Sequence, residues 1–265
     1  MDRKPSTEYY TNISPFMNKF LVRGLNPFSF QKYFIRDKKF GYYPEERRIT
    51  QDDFYRHFFS GGKKFDTYIL GSLAIVPVVN NEIKFVCFDI DNKKQKDEWL
   101  SKVPPELSKL GLDYIIGHGS STKVQGSLNP STLDRAHIYI PMNCSVETAR
   151  HLIFQIGEAV DLNFHNPADK DTWFGEIYGV NKLKNLIRVD GGFHYTKGSY
   201  FPVELKDGSL SDKPEDFMRL FLQSRQPSEE ELKPLLKPLT IAVQKEEVKK
   251  KSIVERINLG IYRGT

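Results

Sequence analysis

The first half of the chain combines aromatic clusters, one amphipathic segment and two long apolar runs. Residues 1–39 hold aromatic clusters without clean periodicity, which predicts short helices and loops. Thr50, with an acid three positions later, is a helix N-cap signature, and we expect that helix to end near residues 61–62. Residues 67–79 and 83–90 are apolar runs on either side of an Asn-Asn turn signal, and together they predict a β-hairpin.

The second half alternates helical and strand patterns around one long polar loop. Residues 117–133 form this loop, which is rich in glycine, proline, serine and threonine, and such long loops in compact domains are usually functional or mobile. A helical pattern covers residues 93–110, although Pro104 and Pro105 should interrupt it. The other predicted elements are strands at 112–116 and 136–141, a helix that Ser145 caps and that ends near 159, and a strand, glycine-rich turn and strand over 187–204.

Composition limits the class of protein only broadly. The chain has 265 residues, of which 39% are hydrophobic, so it has enough apolar residues for a substantial core. A formal net charge of +5 suits a polyanionic partner, but it is weak evidence alone. Cys87 and Cys144 match no zinc-binding spacing, and we expect both to be reduced core residues. The sequence has no membrane-span or secretory pattern, so the expected location is the cytoplasm.

Two acids, Asp89 and Asp91, end the apolar run at residues 83–90. Acids two positions apart on a strand point to the same face, where two like charges are costly unless a cation neutralises them. Hard oxygen ligands favour Mg²⁺ or Mn²⁺, and such ions commonly serve phosphoryl transfer. The alternative is a solvated pair of acids at a strand end, which is common in proteins. His137 lies on a later predicted strand, where a structural histidine is the ordinary interpretation.

The order of these segments resembles the archaeo-eukaryotic primase superfamily. The family shares an Asp-x-Asp strand, a Ser-x-His motif and a third acid, followed by a segment that binds the incoming triphosphate. Residues 185–198, NLIRVDGGFHYTKG, are similar to that last segment, and the resemblance covers about residues 42–204. Within the superfamily, the chain is most similar to primase-polymerases of mobile elements and CRISPR-associated systems. The residue two places before His137 is Arg135 rather than serine, and Ser120 and Ser121 could supply the missing hydroxyl.

The resemblance implies an α+β fold with an RRM-like, mixed or antiparallel central sheet flanked by helices. It implies a catalytic domain at residues 1–225, made of a smaller N-terminal α/β part at 1–80 and a catalytic part at 81–225. Residues 226–265 would be a helical extension or a linker.

The resemblance also implies a two-metal site of Mg²⁺ or Mn²⁺ held by Asp89, Asp91 and a third acid. Glu176 is the favoured third acid because it lies eighteen positions before His194 in the sequence. Asp190 is the alternative, and it could instead be a turn residue. Lys197 could equally be a solvated turn lysine. The implied nucleotide-binding residues are Ser120, Ser121, Arg135, His137, Arg188, His194 and Lys197.

The expected activity is template-directed nucleotidyl transfer with release of pyrophosphate, including primer synthesis. The expected partners are a single-stranded DNA template, a primer strand and NTP or dNTP, with no membrane, and with possible further domains or CRISPR proteins. A template would follow a basic, aromatic surface that includes Lys182, Lys184 and parts of the N-terminal segment. Two alternatives are a gap-filling repair polymerase of the same superfamily and a non-catalytic module that binds nucleic acid.

Overall fold

The fold is α+β, as the sequence predicts, and its two larger sheets are antiparallel. The computed structural model describes residues 4–60, 62–91, 93–119, 133–164, 176–194 and 199–238. Its helices are α1 Thr7–Phe20, α2 Gln51–Phe59, α3 Lys93–Lys109, α4 Val146–Ala159, α5 Pro214–Gln223 and α6 Glu229–Leu232. Its strands are β1 Phe28–Phe34, β2 Lys39–Glu45, β3 Tyr68–Ile75, β4 Glu82–Ile90, β5 Ile115–Gly119, β6 Arg135–Ser145, β7 Glu176–Tyr178, β8 Ile187–Arg188, β9 Phe193–His194, β10 Ser199–Tyr200, β11 Val203–Glu204 and β12 Leu210–Ser211.

The larger sheet has six strands in the order β12-β11-β5-β6-β4-β7. Strand β4 alternates between two apolar cores, because successive side chains of a strand point to opposite faces. Val86, Phe88 and Ile90 face one core, which contains α3 and α4. Phe85 and Cys87 face a second core. Strand β4, which lies next to the edge strand β7, is therefore covered on both faces.

The smaller sheet has four strands in the order β2-β1-β3-β8. The second core lies between this sheet, the six-stranded sheet and the helices α1, α2 and α5. Phenylalanine rings dominate it: Phe16 and Phe20 of α1 are fully buried, and the ring of Phe20 stacks on that of Phe85 at 4.6 Å. Packing of aromatic rings thus joins the two sheets on one side of the molecule.

The predicted hairpin of residues 67–79 and 83–90 is wrong. A turn does form at Asn80 and Asn81, both of which have positive φ angles, but β3 and β4 belong to different sheets. Strand β3 pairs with β1 and β8, whereas β4 pairs with β6 and β7. The chain leaves the smaller sheet at Val76, whose N–H bonds to the carbonyl of Pro27, and Pro77 has no N–H to continue a ladder.

Two further predictions need correction. Residues 1–39 contain the strand β1 as well as a helix, although short helices and loops were expected. Helix α3 continues through Pro104 and Pro105, which were expected to interrupt it. Buried side chains on both sides of the proline pair, Trp99 and Leu107, hold this helix against the first core. Tertiary packing here outweighs the loss of helix hydrogen bonds at proline.

The predicted helix starts are confirmed. Thr50 caps α2 with a capping box in which the Asp53 carboxylate accepts the Thr50 N–H at 2.8 Å. Ser145 caps α4 through the N–H of Thr148. Cys87 and Cys144 are free and buried, also as predicted. In the part of the chain that the structure describes, no helix has the length and apolar character needed to cross a membrane.

Candidate active site

One row of residues crosses the six-stranded sheet with its members in direct cross-strand register. Asp89 of β4 pairs with Glu176 of β7 on one side and with His137 of β6 on the other. His137 in turn pairs with Gly117 of β5. Directly paired residues point to the same face, with Cβ atoms about 5 Å apart. The row therefore brings together three predicted site residues that lie far apart in the sequence.

A second, shorter row lies beside the first. Asp91 follows the end of β4, and its carboxylate is 3.0 Å from the guanidinium of Arg135 on β6. Arg135 pairs in turn with Gly119. Asp91 lies two residues after Asp89, and Arg135 two residues before His137, so the period of a strand puts both rows on the same face. The acids and the basic residues thus form one mixed-charge patch.

His137 lies between two carboxylates. Its Nδ1 is 2.8 Å from Oδ1 of Asp190, and its Nε2 is 3.4 Å from Oδ1 of Asp89. Burial alone would lower the pKa of His137, but the charge of Asp190 and the hydrogen bonds to both acids raise it to about 10. Both ring nitrogens therefore carry protons at neutral pH and donate to the two acids.

The same contact affects Asp89. Burial would raise the pKa of Asp89, but the hydrogen bond from His137 and the nearby charges of Arg188 and Arg135 hold it below its usual value. Asp91 shows the opposite shift: burial and the negative charge of Asp89 raise its pKa, and Glu176 adds to this effect. Burial and the neighbouring acids therefore favour the neutral form of Asp91, and Arg135 and His137 offset them only in part.

Glu176 lies at the outer end of the first row. Its Oε1 is 2.8 Å from the ammonium of Lys182, and its Oε2 accepts a hydrogen bond of 2.7 Å from the hydroxyl of Tyr178. Its side chain is 39% exposed, whereas that of Asp190 is 4% exposed. Of the two candidates for the third acid, Glu176 is thus the more exposed one and pairs directly with Asp89, and Asp190 is buried behind His137.

Gly117 makes room for the Asp190 carboxylate. A Cβ atom at Gly117 would be 1.6 Å from Oδ2 of Asp190, so a side chain there would displace the acid. That oxygen is buried and has no hydrogen-bond partner among the described residues. Asp190 can thus reach His137 because Gly117 of β5 has no side chain.

His57 of α2 holds the backbone of the Asp190 turn. Its Nδ1 accepts the N–H of Leu73 at 2.9 Å, and its Nε2 is 3.3 Å from the carbonyl oxygen of Asp190. Burial lowers the pKa of His57 to about 3, so the ring is neutral and donates its Nε2 proton to that carbonyl. A Cβ at Gly192 would be 1.9 Å from the ring, so glycine is needed there too.

These residues line a pocket of about 220 Å³ between the two sheets. The six-stranded sheet contributes Asp89, Asp91 and His137, while the smaller sheet contributes Arg188 and Tyr42. The remaining predicted site residues in the lining are Arg135, His194 and Asp190. Glu176 is not part of the lining, but its neighbour Tyr178 is.

Two guanidinium nitrogens of this pocket are available as donors. Nη1 of Arg188 and Nε of Arg135 are buried, and neither has a hydrogen-bond partner among the described residues. The guanidinium of Arg188 lies 4.9 Å from the ring centre of Phe201. A buried charged donor without an acceptor is costly, and an anionic ligand such as a phosphate would satisfy it.

The carboxylates suit a divalent ion by their chemistry. Asp89, Asp91 and Glu176 supply hard oxygen atoms on one face of the sheet, and the charges of Asp89 and Glu176 add to the effect of burial in raising the pKa of Asp91. Within the described ranges, no group of three or more potential ligand side chains is already arranged around a common ion position. Each acid instead contacts a cationic side chain: His137, Arg135 or Lys182.

Three predicted site residues, Ser120, Ser121 and Lys197, lie outside the described residues. The structure also adds residues that the sequence did not suggest. Tyr42 and Phe201 line the pocket, and His57 supports the Asp190 turn. His57 had a detectable signal, because a histidine among the aromatic residues of an amphipathic helix is buried and needs hydrogen-bond partners. Tyr42 and Phe201 had no such signal in a chain with many aromatic residues.

No protein-family model matches this chain, and no curated protein sequence shows significant similarity to it.

Proposed function

We propose that this protein is a primase-polymerase that transfers nucleotides to a 3′-hydroxyl on a single-stranded template and releases pyrophosphate. The observation that carries the proposal is the row Glu176, Asp89 and His137, in direct register on three neighbouring strands. This reaction needs acidic side chains that bind cations and positively charged groups, such as a charged histidine, that bind phosphate. The antiparallel sheet beneath helices is compatible with the archaeo-eukaryotic primase fold, which is part of the same proposal.

Asp89, Asp91 and Glu176 would hold the Mg²⁺ or Mn²⁺ ions. Bound there, such ions would lower the pKa of the attacking hydroxyl and neutralise negative charge on the leaving pyrophosphate. The chain itself keeps Asp89 ionised, because His137, Arg188 and Arg135 all favour its charged form. The ladder of β4 with its two neighbours fixes the spacing of Asp89 and Glu176 before any ligand arrives.

The triphosphate would lie over the basic side of the pocket. Arg188 and Arg135 each have a buried nitrogen without a partner among the described residues, and a guanidinium donates to phosphate oxygens in a planar fork. His137 is held in its charged form by Asp190 and Asp89. His194, also in the lining, would bind the same phosphates.

The test is incorporation of labelled nucleotides on an unprimed single-stranded template with Mn²⁺ or Mg²⁺. We expect short products from the wild-type chain and none from the double variant Asp89→Asn with Asp91→Asn, because the metal ligands are lost while the fold is kept. Asp161→Asn is the matched control, since Asp161 is exposed, has a φ angle of 56° that asparagine tolerates, and lies outside the pocket. Synthesis by a folded double variant would contradict the proposal.

The same assay separates the two alternatives. Extension of an annealed primer without synthesis on an unprimed template would indicate a gap-filling polymerase. Binding of the template without any incorporation would indicate a non-catalytic module.

A further inference from the structure

The outer face of the edge strand β2 carries unusually exposed aromatic side chains. Phe40 is 45% exposed and Tyr42 is 37% exposed. Pro44 is also exposed, and it lies on the same face because alternate residues of a strand share a side. An edge strand with exposed apolar residues tends to associate with other molecules, and natural proteins usually avoid this unless the surface binds something.

This aromatic face continues the pocket. Tyr42 is part of the pocket lining together with Asp89 and Arg188. Phe40 pairs across the sheet with Tyr33, which therefore shares the face, and the rings of Phe40 and Tyr42 are 6.1 Å apart. We call Tyr33, Phe40 and Tyr42 the aromatic platform. It leads from the acids outward along β2.

Basic side chains surround the outer end of the platform. The turn between β1 and β2 carries Arg36, Lys38 and Lys39, all exposed, and a single acid, Asp37. Sites for single-stranded nucleic acid usually combine flat aromatic rings, on which bases stack, with a positively charged surface that binds the phosphate backbone. Each base has a π-face, so such stacking tolerates any sequence, as a template site must.

We propose that the aromatic platform binds the single-stranded template, with bases stacked on Phe40 and Tyr42 and with phosphates beside the basic turn. This rests on the proposed function, because the platform leads into the pocket where the template would be copied. The four-stranded sheet thus binds the strand while the six-stranded sheet carries the acids.

The experiment measures affinity for a fluorescently labelled oligothymidylate by anisotropy, with neither metal ion nor nucleotide present. The variants are Phe40→Ile and Tyr42→Ile, because isoleucine suits a strand and removes only the π-face. We expect each to weaken binding about tenfold, and Tyr42→Phe to restore it. Replacing Arg36 and Lys39 by glutamine should flatten the dependence of affinity on salt.

The matched control is Phe65→Ile. Phe65 is 37% exposed, like Tyr42, but its ring stacks on Tyr68 at 4.8 Å. Tyr68 pairs with Phe34 and lies on the opposite face of the sheet from Phe40. The control should bind as well as wild type. An equal loss in Phe65→Ile, or unchanged affinity in Phe40→Ile and Tyr42→Ile, would overturn the proposal.

The experiments distinguish a failure of the template-binding proposal from a failure of the proposed function. A chain that incorporates nucleotides normally after Phe40→Ile, with unchanged affinity, has the activity but not the platform. A chain that never incorporates nucleotides, yet loses oligonucleotide binding in the platform variants only, has the platform but not the activity. If the variants change the mass of the protein in solution and leave oligonucleotide affinity unchanged, the face is a self-association surface and the proposal is overturned.

Discussion

The two large sheets contribute to the pocket in different ways. The six-stranded sheet places Asp89 on β4, which has a hydrogen-bonded neighbour on each side and an apolar core against each face, and Glu176 on the adjacent edge strand β7. The four-stranded sheet contributes from its two edge strands, Tyr42 from β2 and Arg188 from β8. The six-stranded sheet therefore presents Asp89 and His137 from strands paired on both sides, whereas the four-stranded sheet presents Tyr42 and Arg188 from edge strands.

This difference predicts different roles for the two sheets in the proposed reaction. Neighbouring carboxylates repel each other, and the pairing of β4 on both sides holds Asp89 in place beside Glu176 of the edge strand β7. Groups on an edge strand have fewer restraints and can adjust to a ligand. We therefore expect substitutions in the six-stranded sheet to change the rate of reaction, and substitutions in the four-stranded sheet to change affinity.

The largest effect should follow Glu176→Gln. We expect the rate of nucleotide incorporation to fall about a thousandfold, because the change removes a charge from the proposed ion site. Affinity for the oligonucleotide should not change, since Glu176 is not part of the pocket lining that includes Tyr42 of the aromatic platform. Rates come from single-turnover incorporation, and affinities from anisotropy. A large loss of affinity would remove the proposed division between the sheets.

Asp190→Asn is the comparison for that variant, because Asp190 is the other candidate for the third acid. We expect a smaller loss, about tenfold, as His137 loses the charge that most strongly raises its pKa. NMR titration should show the pKa of His137 falling in the variant. If Asp190→Asn abolishes incorporation and Glu176→Gln does not, then Asp190 is the third acid.

The next effect should come from Arg188→Gln, on the four-stranded sheet. We expect KM for the nucleotide to rise about a hundredfold with a smaller change in kcat, because a charge-assisted phosphate contact is lost. Arg188→Lys should recover part of the loss, since it keeps the charge without the planar fork. A fall in kcat at unchanged KM would place Arg188 with the catalytic acids instead.

A moderate effect should follow Gly117→Ala. The new Cβ would overlap Oδ2 of Asp190 and push the acid away from His137. We expect incorporation to fall about tenfold and the free energy of unfolding to fall by about 1–3 kcal/mol. Gly208→Ala is the control, because its Cβ would meet no atom within 4 Å, although its φ of 78° adds some strain. Equal activity losses in the two variants would contradict the role of Gly117.

The smallest effect concerns pH and His57→Gln. The folded pKa of His57 is lowered to about 3, so its contribution to stability is complete above its ordinary pKa and is lost as the pH falls toward 3. The wild-type chain should therefore lose about 1.4 kcal/mol per pH unit more than the variant between about pH 6 and pH 4. Urea unfolding of both proteins at several pH values measures this difference. Parallel curves would show that His57 is charged in the fold.

Local signals in the sequence predicted local structure well. The α+β class, the caps at Thr50 and Ser145, and the two buried thiols are all confirmed. Each of these depends on residues close together in the chain or on composition. The hairpin prediction failed because two apolar runs joined by a turn look the same whether they pair or enter different sheets.

The sequence suggested residues for the candidate site but not their arrangement. Asp89 and Asp91 are recognisable from strand period alone, and they do share a face with His137. Which of Glu176 and Asp190 lies beside Asp89 depends on the register of β7, a strand of three residues that no sequence pattern specifies. The contact of Asp190 with His137 depends on an empty space at Gly117, which becomes visible only in three dimensions.

The register of the first row also fixes the distances between its residues. Neighbouring strands are about 4.8 Å apart, so Glu176 and the position of Gly117, three strands away, are separated by about 14 Å. A slip of β4 by one residue would turn Asp89 toward the first core, which contains α3 and α4, and would bring Phe88 or Ile90 to the face that carries the pocket. The backbone ladder therefore sets the distances between these residues. An insertion in β4 would change those distances even if every side chain of the proposed site were kept.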